Sequence, residues 1–431
     1  MVGIRKETKN EYERRVPLNP IAVETLIKKG YKAVVQPSDT RIYTNDEYEN
    51  TGAILSDDLS CCDLVLAVKE IPIDQIIPGI PHLFFSHTIK GQESNMPLLQ
   101  SIIDTKTTLL DYEKIINKNG QRLVFFGKYA GYAGMVDTLW GAGQRLKNHN
   151  KIDSVFQNIK RAFEYESVDH AIKEIGKIGD EIRKNGLPDE ITPFNIFILG
   201  YGSVASGCMD ILSGLPIKEI EPDDILQQKN KYSNKHIYLT VFKEKHLVNK
   251  KDGSEFDLQD YYSNGTEYCS KMGKYLPFAS IYMNAIYWAP GYPIFLNRIS
   301  LKKMQSENQK LIIIGDITCD IDGSVEATVK STEPGTPIFI YDAYTGKAKN
   351  GLIGEGFADM AVDNLPCEFA RESSDTFSSS LMPFMEALLL NDYTKPIVDS
   401  ILPLEIKSSC IAHQGKLEEE FSYLYRYLNA I

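Results

Sequence analysis

Ionisable residues stand just after successive apolar runs near the start of this sequence. Arg5 and Lys6 follow Gly3-Ile4, and Lys69 and Glu70 follow the run 63–68. His87 and Lys90 come after the run 82–86, and Asp111 and Glu113 after 107–110. A histidine titrates near neutrality and is suited to move a proton. A lysine can do the same when neighbouring cations depress its pKa. Lys69 and His87 are therefore the candidate acid/base pair, with the division of labour between them open. Glu13, Glu70 and Glu113 would position or tune them. Arg15, Lys90 and Arg122 would hold an anionic substrate.

A second chemistry-bearing segment lies near the middle. Gly200-Tyr201-Gly202-Ser203-Val204-Ala205-Ser206-Gly207 follows the apolar run 194–199. Gly200 permits a tight turn, and Gly202 lets a backbone approach a pyrophosphate. Ala205 takes the third position of the pattern, and Gly207 lets helix and strand pack closely. The amides of Ser203 and Val204 would open a helix, whose free N–H groups and positive dipole end suit phosphates. Glu221 comes about 20 residues later, where a carboxylate can hold ribose hydroxyls and repel a 2′-phosphate. Asp223 and Asp224 are alternatives for that role. Asp316 and Asp320 follow the run 311–315, near where a nicotinamide would lie, and would equally serve a turn.

The elements that position these groups read as α/β throughout. Short apolar runs at 32–36, 63–68, 82–86 and 107–110 are strands. Helix-length segments separate them, as after Pro20 and over 93–103, and this alternation predicts a parallel sheet. In parallel sheets, ligands bind beyond the carboxyl ends of the strands, where the ionisable residues stand. The stretch 145–185 reads as helix, with Val168, Ala171, Ile172, Ile175, Ile178 and Ile182 as one apolar stripe. A second α/β unit begins after Pro193, with strands at 194–199, 217–220, 280–287 and 311–315. The charged stretch 229–252 reads as including exposed loops, and 375–427 as helices.

At 431 residues the chain is too long for one ordinary domain; about 150 residues each gives two or three. A net charge of −11 argues against a nucleic-acid partner. The seven cysteines form no CxxC or Cys/His cluster, so reduced thiols and no metal site are expected. No run approaches the roughly 20 apolar residues that span a bilayer, and the charged N-terminus lacks a signal-peptide core. A cytoplasmic protein with no membrane partner is the expectation.

The same residues carry a family resemblance. The opening 3–7 with 13–20, and Val68-Lys69-Glu70-Ile71-Pro72, resemble the alanine dehydrogenase, transhydrogenase and saccharopine dehydrogenase superfamily. Ser86-His87-Thr88-Ile89-Lys90 resembles the His-x-x-Lys segment of the lysine-forming saccharopine dehydrogenases. Leu110-Asp111-Tyr112-Glu113, 122–127 and 129–134 do so too. The likeness is strongest to the lysine–2-oxoglutarate reductase half of aminoadipic semialdehyde synthases, and 285–288, 316–326 and 363–366 support it. It runs along nearly the whole chain and implies a free-standing reductase.

The resemblance implies two Rossmann-like domains with parallel sheets and an active-site cleft between them. The substrate domain would span 1–190 and resume over 326–431, with the dinucleotide domain inserted at 191–325. The implied reaction joins the lysine ε-amine to 2-oxoglutarate and reduces the imine to saccharopine, or runs in reverse. Lys69 and His87 would be the acid/base pair; Glu13, Arg15, Lys90, Glu113 and Asp320 would surround substrate or nicotinamide. The cofactor would be NAD, as in fungal single-function relatives, or NADP, as in bifunctional ones. Other readings are an alanine- or opine-type dehydrogenase and a non-catalytic NAD(P) sensor. Lys69, His87, Lys90 and Glu113 together argue for catalysis.

Overall fold

The computed structural model describes residues 1–227, 232–307 and 310–428. The chain forms two compact units. The first joins 1–126 to 370–431, and the second is 127–369, inserted between them.

The first unit is built on an eight-stranded sheet. Its strands are β1 (Val2–Ile4), β2 (Ala33–Val35), β3 (Ile54–Leu55), β4 (Leu64–Leu66), β5 (His82–Phe84) and β6 (Leu109–Asp111). After the insertion come β17 (Cys410–His413) and β18 (Lys416–Leu417). The order is β18-β17-β6-β5-β4-β1-β2-β3. β1 to β6 are mutually parallel, while β17 runs antiparallel to β6. β1, β2, β4, β5 and β6 are wholly buried, which is why they read as unbroken apolar runs. The helix Pro20–Lys28 starts where Asn19 accepts from the Ala22 amide at 2.9 Å and Pro20 occupies the first turn.

The returning segment is a helix over Ala370–Leu390, and its Phe377 explains why it belongs here. That ring stacks on Phe126 at 4.4 Å and meets Tyr112 edge-on at 4.8 Å. Phe85 closes the cluster at 6.1 Å from Phe377. This aromatic core lies beneath the ends of β5 and β6. The end of the chain is not all helix as expected: Cys410–His413 is a buried strand completing the sheet edge. Its four residues are too few to show a periodicity.

The second unit carries another eight-stranded sheet. Its strands are β7 (Phe194–Leu199), β8 (Ile217–Glu219), β9 (Ile237–Phe242), β12 (Ile281–Asn284), β13 (Ile313–Asp316), β14 (Ile338–Asp342), β15 (Lys347–Asn350) and β16 (Phe357–Met360). A separate hairpin pairs β10 (Val248–Lys250) with β11 (Tyr268–Ser270). The large sheet runs β15-β14-β16-β13-β12-β7-β9-β8, parallel except at β14 and β15. The strand beside β7 is thus β9, and β8 lies at the edge. The stretch 229–252, where exposed loops are expected, also holds a strand. Residues 228–231 lie outside the described residues, but 237–242 is a nearly buried strand.

The helix reading over 145–185 also changes. A helix runs over Gly127–Arg145, then short turns, then a helix over Val168–Asn185. The first is illegible in sequence because glycines at 127, 131, 134, 141 and 143 dilute its apolar stripe. One of them, Gly131, lets it cross the helix Ser203–Leu212 closely. A Cβ at Gly131 would fall 2.0 Å from the Val204 carbonyl oxygen, and one at Gly207 2.2 Å from that of Lys128. Gly207 therefore serves a helix–helix crossing, not the helix–strand packing expected of it. This crossing and β14–β16 put the divisions at 126/127 and 369/370, instead of the expected 190/191 and 325/326.

Candidate active site

In the first unit, the groups at the strand ends pair with one another. Parallel pairing aligns Leu66 of β4 with Leu83 of β5, and the ladder continues as the Phe85 amide donates to the Val68 carbonyl at 3.1 Å. Lys69 and His87 therefore leave adjacent strands at the same end of the sheet. Lys69 is 8% exposed. Its backbone N–H donates to Glu7 Oε2 at 3.0 Å, and that of Val68 to Glu7 Oε1 at 2.6 Å.

His87 sits at φ +51°, a left-handed conformation that a non-glycine residue adopts only when its surroundings hold it there. Here Asn95 Nδ2 donates to the His87 carbonyl at 3.0 Å, and the Phe85 ring stacks on the imidazole at 6.3 Å. His87 Nδ1 meets Glu70 Oε1 at 2.5 Å, and Lys9 Nζ lies 3.9 Å from Glu70 Oε2. Burial works against the Glu70 charge, but the His87 contact and Lys9 hold its carboxyl down to about 2. The Nδ1 contact leaves Nε2 as the ring atom for a ligand.

The remaining expected groups fall into two pairs. Arg15 grips Glu13 through both arms, Nε to Oε1 at 2.8 Å and Nη2 to Oε2 at 2.6 Å, with both side chains buried. Its guanidinium stacks 4.2 Å over Phe126. Arg15 is therefore not the open clamp for a substrate anion that its charge suggests; two of its donors are spent on Glu13. Arg122 likewise donates to Glu113 from a half-exposed position. Lys90 is exposed, just past His87. Asp111 ties the rim together, accepting from the Ser86 amide and hydroxyl and from the Glu113 amide.

In the second unit, β7 runs into the glycine turn. Gly200 has φ +99°, and a Cβ there would lie 2.8 Å from the Ala285 carbonyl oxygen, so only glycine fits. A Cβ at Gly202 would meet no protein atom within 4 Å. The helix Ser203–Leu212 starts there with no side-chain cap, so its first amides are open to a ligand. Ser203 is exposed, Val204 half-buried and Ala205 wholly buried. Beside the turn lies a cavity of about 300 Å³ lined by Gly200, Gly202, Tyr201, Glu244, Tyr262 and Tyr292. Glu244 accepts from the Tyr262 hydroxyl at 2.9 Å and from that of Tyr201 at 3.4 Å. An open glycine face, uncapped helix amides and a carboxylate facing an aromatic cavity fit a dinucleotide.

Glu221 is not in that cavity. It lies past the edge strand β8, in a separate depression with Asp224, Lys243, Lys245 and His246. Because β9 is β7's neighbour, the carboxylate at the end of the adjacent strand is Glu244. The sequence signal is present as Phe242-Lys243-Glu244, a strand end with an acid, hidden in a charged stretch.

Asp316 is corrected as well. It is 1% exposed and sealed in a network. Asn284 Nδ2 donates to Oδ1 at 2.8 Å, while the Thr328 hydroxyl lies 2.6 Å from Asp316 Oδ2 and 2.9 Å from Asp359 Oδ2. One hydroxyl hydrogen serves one carboxylate, so the other contact needs a protonated acid. Burial and the Asp316 charge push Asp359 well above the usual carboxylate range. Asp316 thus braces the end of β13, while Asp320 stays half-exposed in the turn beyond it. No group of metal-ligating side chains occurs among the described residues.

Comparison with known proteins fits this geometry. The family described as alanine dehydrogenase/PNT, N-terminal domain, matches residues 3–133. The alpha-aminoadipic semialdehyde synthase of Arabidopsis thaliana is 36% identical over 99% of this chain. The chain spans 41% of that relative's length. The chain is thus similar to proteins named alpha-aminoadipic semialdehyde synthase and saccharopine dehydrogenase. The saccharopine dehydrogenase [NAD(+), L-lysine-forming] of Candida glabrata is 28% identical and matches over 89% of this chain and 91% of its own. A solved L-alanine dehydrogenase shares the fold at a TM-score of 0.62 and 16% identity, with 99% of each chain covered. No described helix is long and apolar enough to cross a membrane.

Proposed function

We propose that this chain interconverts saccharopine with L-lysine and 2-oxoglutarate, using NAD or NADP. In the reductive direction, the lysine ε-amine adds to the 2-oxoglutarate keto carbon. The carbinolamine loses water, and a hydride reduces the resulting iminium carbon. Lysine, 2-oxoglutarate, reduced cofactor and a proton thus give saccharopine, oxidised cofactor and water. The observation that carries this reading is Lys69 beside the Glu70–His87 pair at the ends of β4 and β5, in a chain similar to saccharopine dehydrogenases.

The amine must shed a proton before it attacks, and the carbinolamine hydroxyl must gain one before it leaves. Lys69 and His87 Nε2 are assigned those transfers. Lys90 and Arg122 are assigned to the carboxylates of the substrates, with Glu13 and Glu113 setting the orientation of their arginine partners. The bound nicotinamide supplies or accepts the hydride. Gly200, Gly202 and the amides of Ser203, Val204 and Ala205 are assigned to the pyrophosphate, and Glu244 to the ribose. Asp320 is assigned to the nicotinamide side. Seven cysteine thiols suit a reducing compartment such as the cytoplasm.

Oxidation of NADH and NADPH with 2-oxoglutarate and a panel of amines tests the proposal, with the product identified by mass. Lysine should give saccharopine and outpace alanine and ammonia by at least about tenfold in kcat/KM, ~1.4 kcal/mol of barrier. Equal rates with ammonia, or no turnover with lysine, would overturn it.

A further inference from the structure

Glu7 is a charged residue that the proposed reaction does not use, and its geometry is specific. It stands beyond the end of β1, the strand paired with β4. Past Leu66, β4 leaves two successive amides, those of Val68 and Lys69, facing β1. The Glu7 carboxylate takes both, one on each oxygen, at 2.6 and 3.0 Å. Only an ionised carboxylate offers two acceptor oxygens to two N–H donors without presenting a donor of its own.

We propose that Glu7 is a positioning residue that aims Lys69 by holding the backbone on either side of the Val68–Lys69 peptide, and that it does so only when ionised. The inference rests on the acid/base role assigned to Lys69 above. The groups facing Glu7 are Arg5 on its own segment, Glu13 on the loop that follows, and Tyr112 beyond β6. Burial and the Glu13 charge raise the Glu7 carboxyl to about 7, against the pull of the two amides and Arg5. Above neutrality, therefore, the carboxylate holds both amides. As pH falls, the added proton puts an O–H where one amide needs an acceptor, and Lys69 loses its aim. Glu7 would then contribute an acid-side limb to the pH profile that belongs neither to Lys69 nor to His87.

The test uses the whole chain. In wild type labelled with ¹⁵N-lysine, the Lys69 amide, assigned by its loss in Lys69→Arg, should shift with a midpoint near 7. In Glu7→Gln that titration should vanish. Turnover should fall about 10- to 100-fold, the acid limb of kcat should flatten, and cofactor Kd should stay within about threefold. Glu7→Asp, which keeps the charge on a shorter arm, should recover part of the turnover. A Lys69 amide that does not titrate between pH 5.5 and 8.5 overturns the proposal, whether or not Glu7→Gln folds. A folded Glu7→Gln with normal turnover and an unchanged limb also overturns it. If the amide titrates while Lys69→Met keeps full turnover, the clamp stands and the acid/base assignment to Lys69 fails instead.

Discussion

His87 Nδ1 lies 2.5 Å from the Glu70 carboxylate, on a backbone held at φ +51°. The contact fixes the imidazole and commits one of its nitrogens. Glu70→Gln keeps the size but removes the charge. Turnover should fall about 10- to 100-fold, or ~1.4–2.7 kcal/mol of barrier. Stability should respond as well. Glu70 is held down to about 2, so its contribution is full above the ordinary carboxylate pKa and lost as pH falls towards 2. Circular dichroism from pH 5 to 2 should show wild type losing an advantage that the variant never had. Identical acid transitions and rates would make Glu70 a bystander.

Proton transfer by Lys69 and His87 has its own test. A positioned acid or base is worth roughly 10²–10⁴-fold in rate. Lys69→Met and His87→Gln should each lose about that much in kcat with little change in cofactor affinity. The double variant should lose less than the product of the two, as groups acting as a unit do. Two single variants with near-normal turnover and an unchanged pH profile would return both residues to a structural role.

Strands buried on both faces announce themselves as apolar runs, and a parallel sheet puts its ligand groups where those runs end. That logic picks out Lys69, Glu70 and His87 from the order of residues alone. Strand order is different, because nothing local encodes which strand lies beside β7. The ribose carboxylate is therefore expected at Glu221, after the next strand in sequence, whereas Glu244 follows the next strand in space. Pairing is equally invisible: Arg15 reads as an anion clamp until Glu13 is found in its grip. The helix Gly127–Arg145 is hidden by its glycines, of which Gly131 makes the close crossing possible.

The glycine turn separates binding from folding. A side chain at Gly202 would meet no protein atom, so Gly202→Val should fold normally yet weaken NAD(H) or NADP(H) binding at least about tenfold, ~1.4 kcal/mol. Gly200→Ala should instead destabilise the fold, with its Cβ forced against the Ala285 carbonyl at φ +99°. Glu244→Ala should weaken binding more than Glu221→Ala does. Fluorescence titration with both cofactors reads all four variants. Undiminished affinity in folded Gly202→Val would move the dinucleotide elsewhere, and a larger effect at Glu221 would restore it as the ribose group.

A buried pair of acids sets a last pH dependence. Asp137 is wholly buried on the helix Gly127–Arg145 and accepts from the Ala162 amide at 2.8 Å. Burial raises its carboxyl to about 6, although Ala162 and the neighbouring Glu368 pull the other way. Burial and the Asp137 charge push Glu368 well above the usual range. A raised carboxyl binds its proton more tightly in the folded state, so its effect on stability declines as pH rises from about 4 to about 6 and is level above that. Asp137→Asn abolishes the ionisation while its Oδ1 keeps the Ala162 bond. The variant should be more stable than wild type above pH 6 by about 1–3 kcal/mol, with the difference shrinking towards pH 4. Urea midpoints at pH 4.5 and 8 measure that difference. If it is the same at both, the pair does not titrate in this window, and Asp137 is held ionised by its neighbours despite its burial.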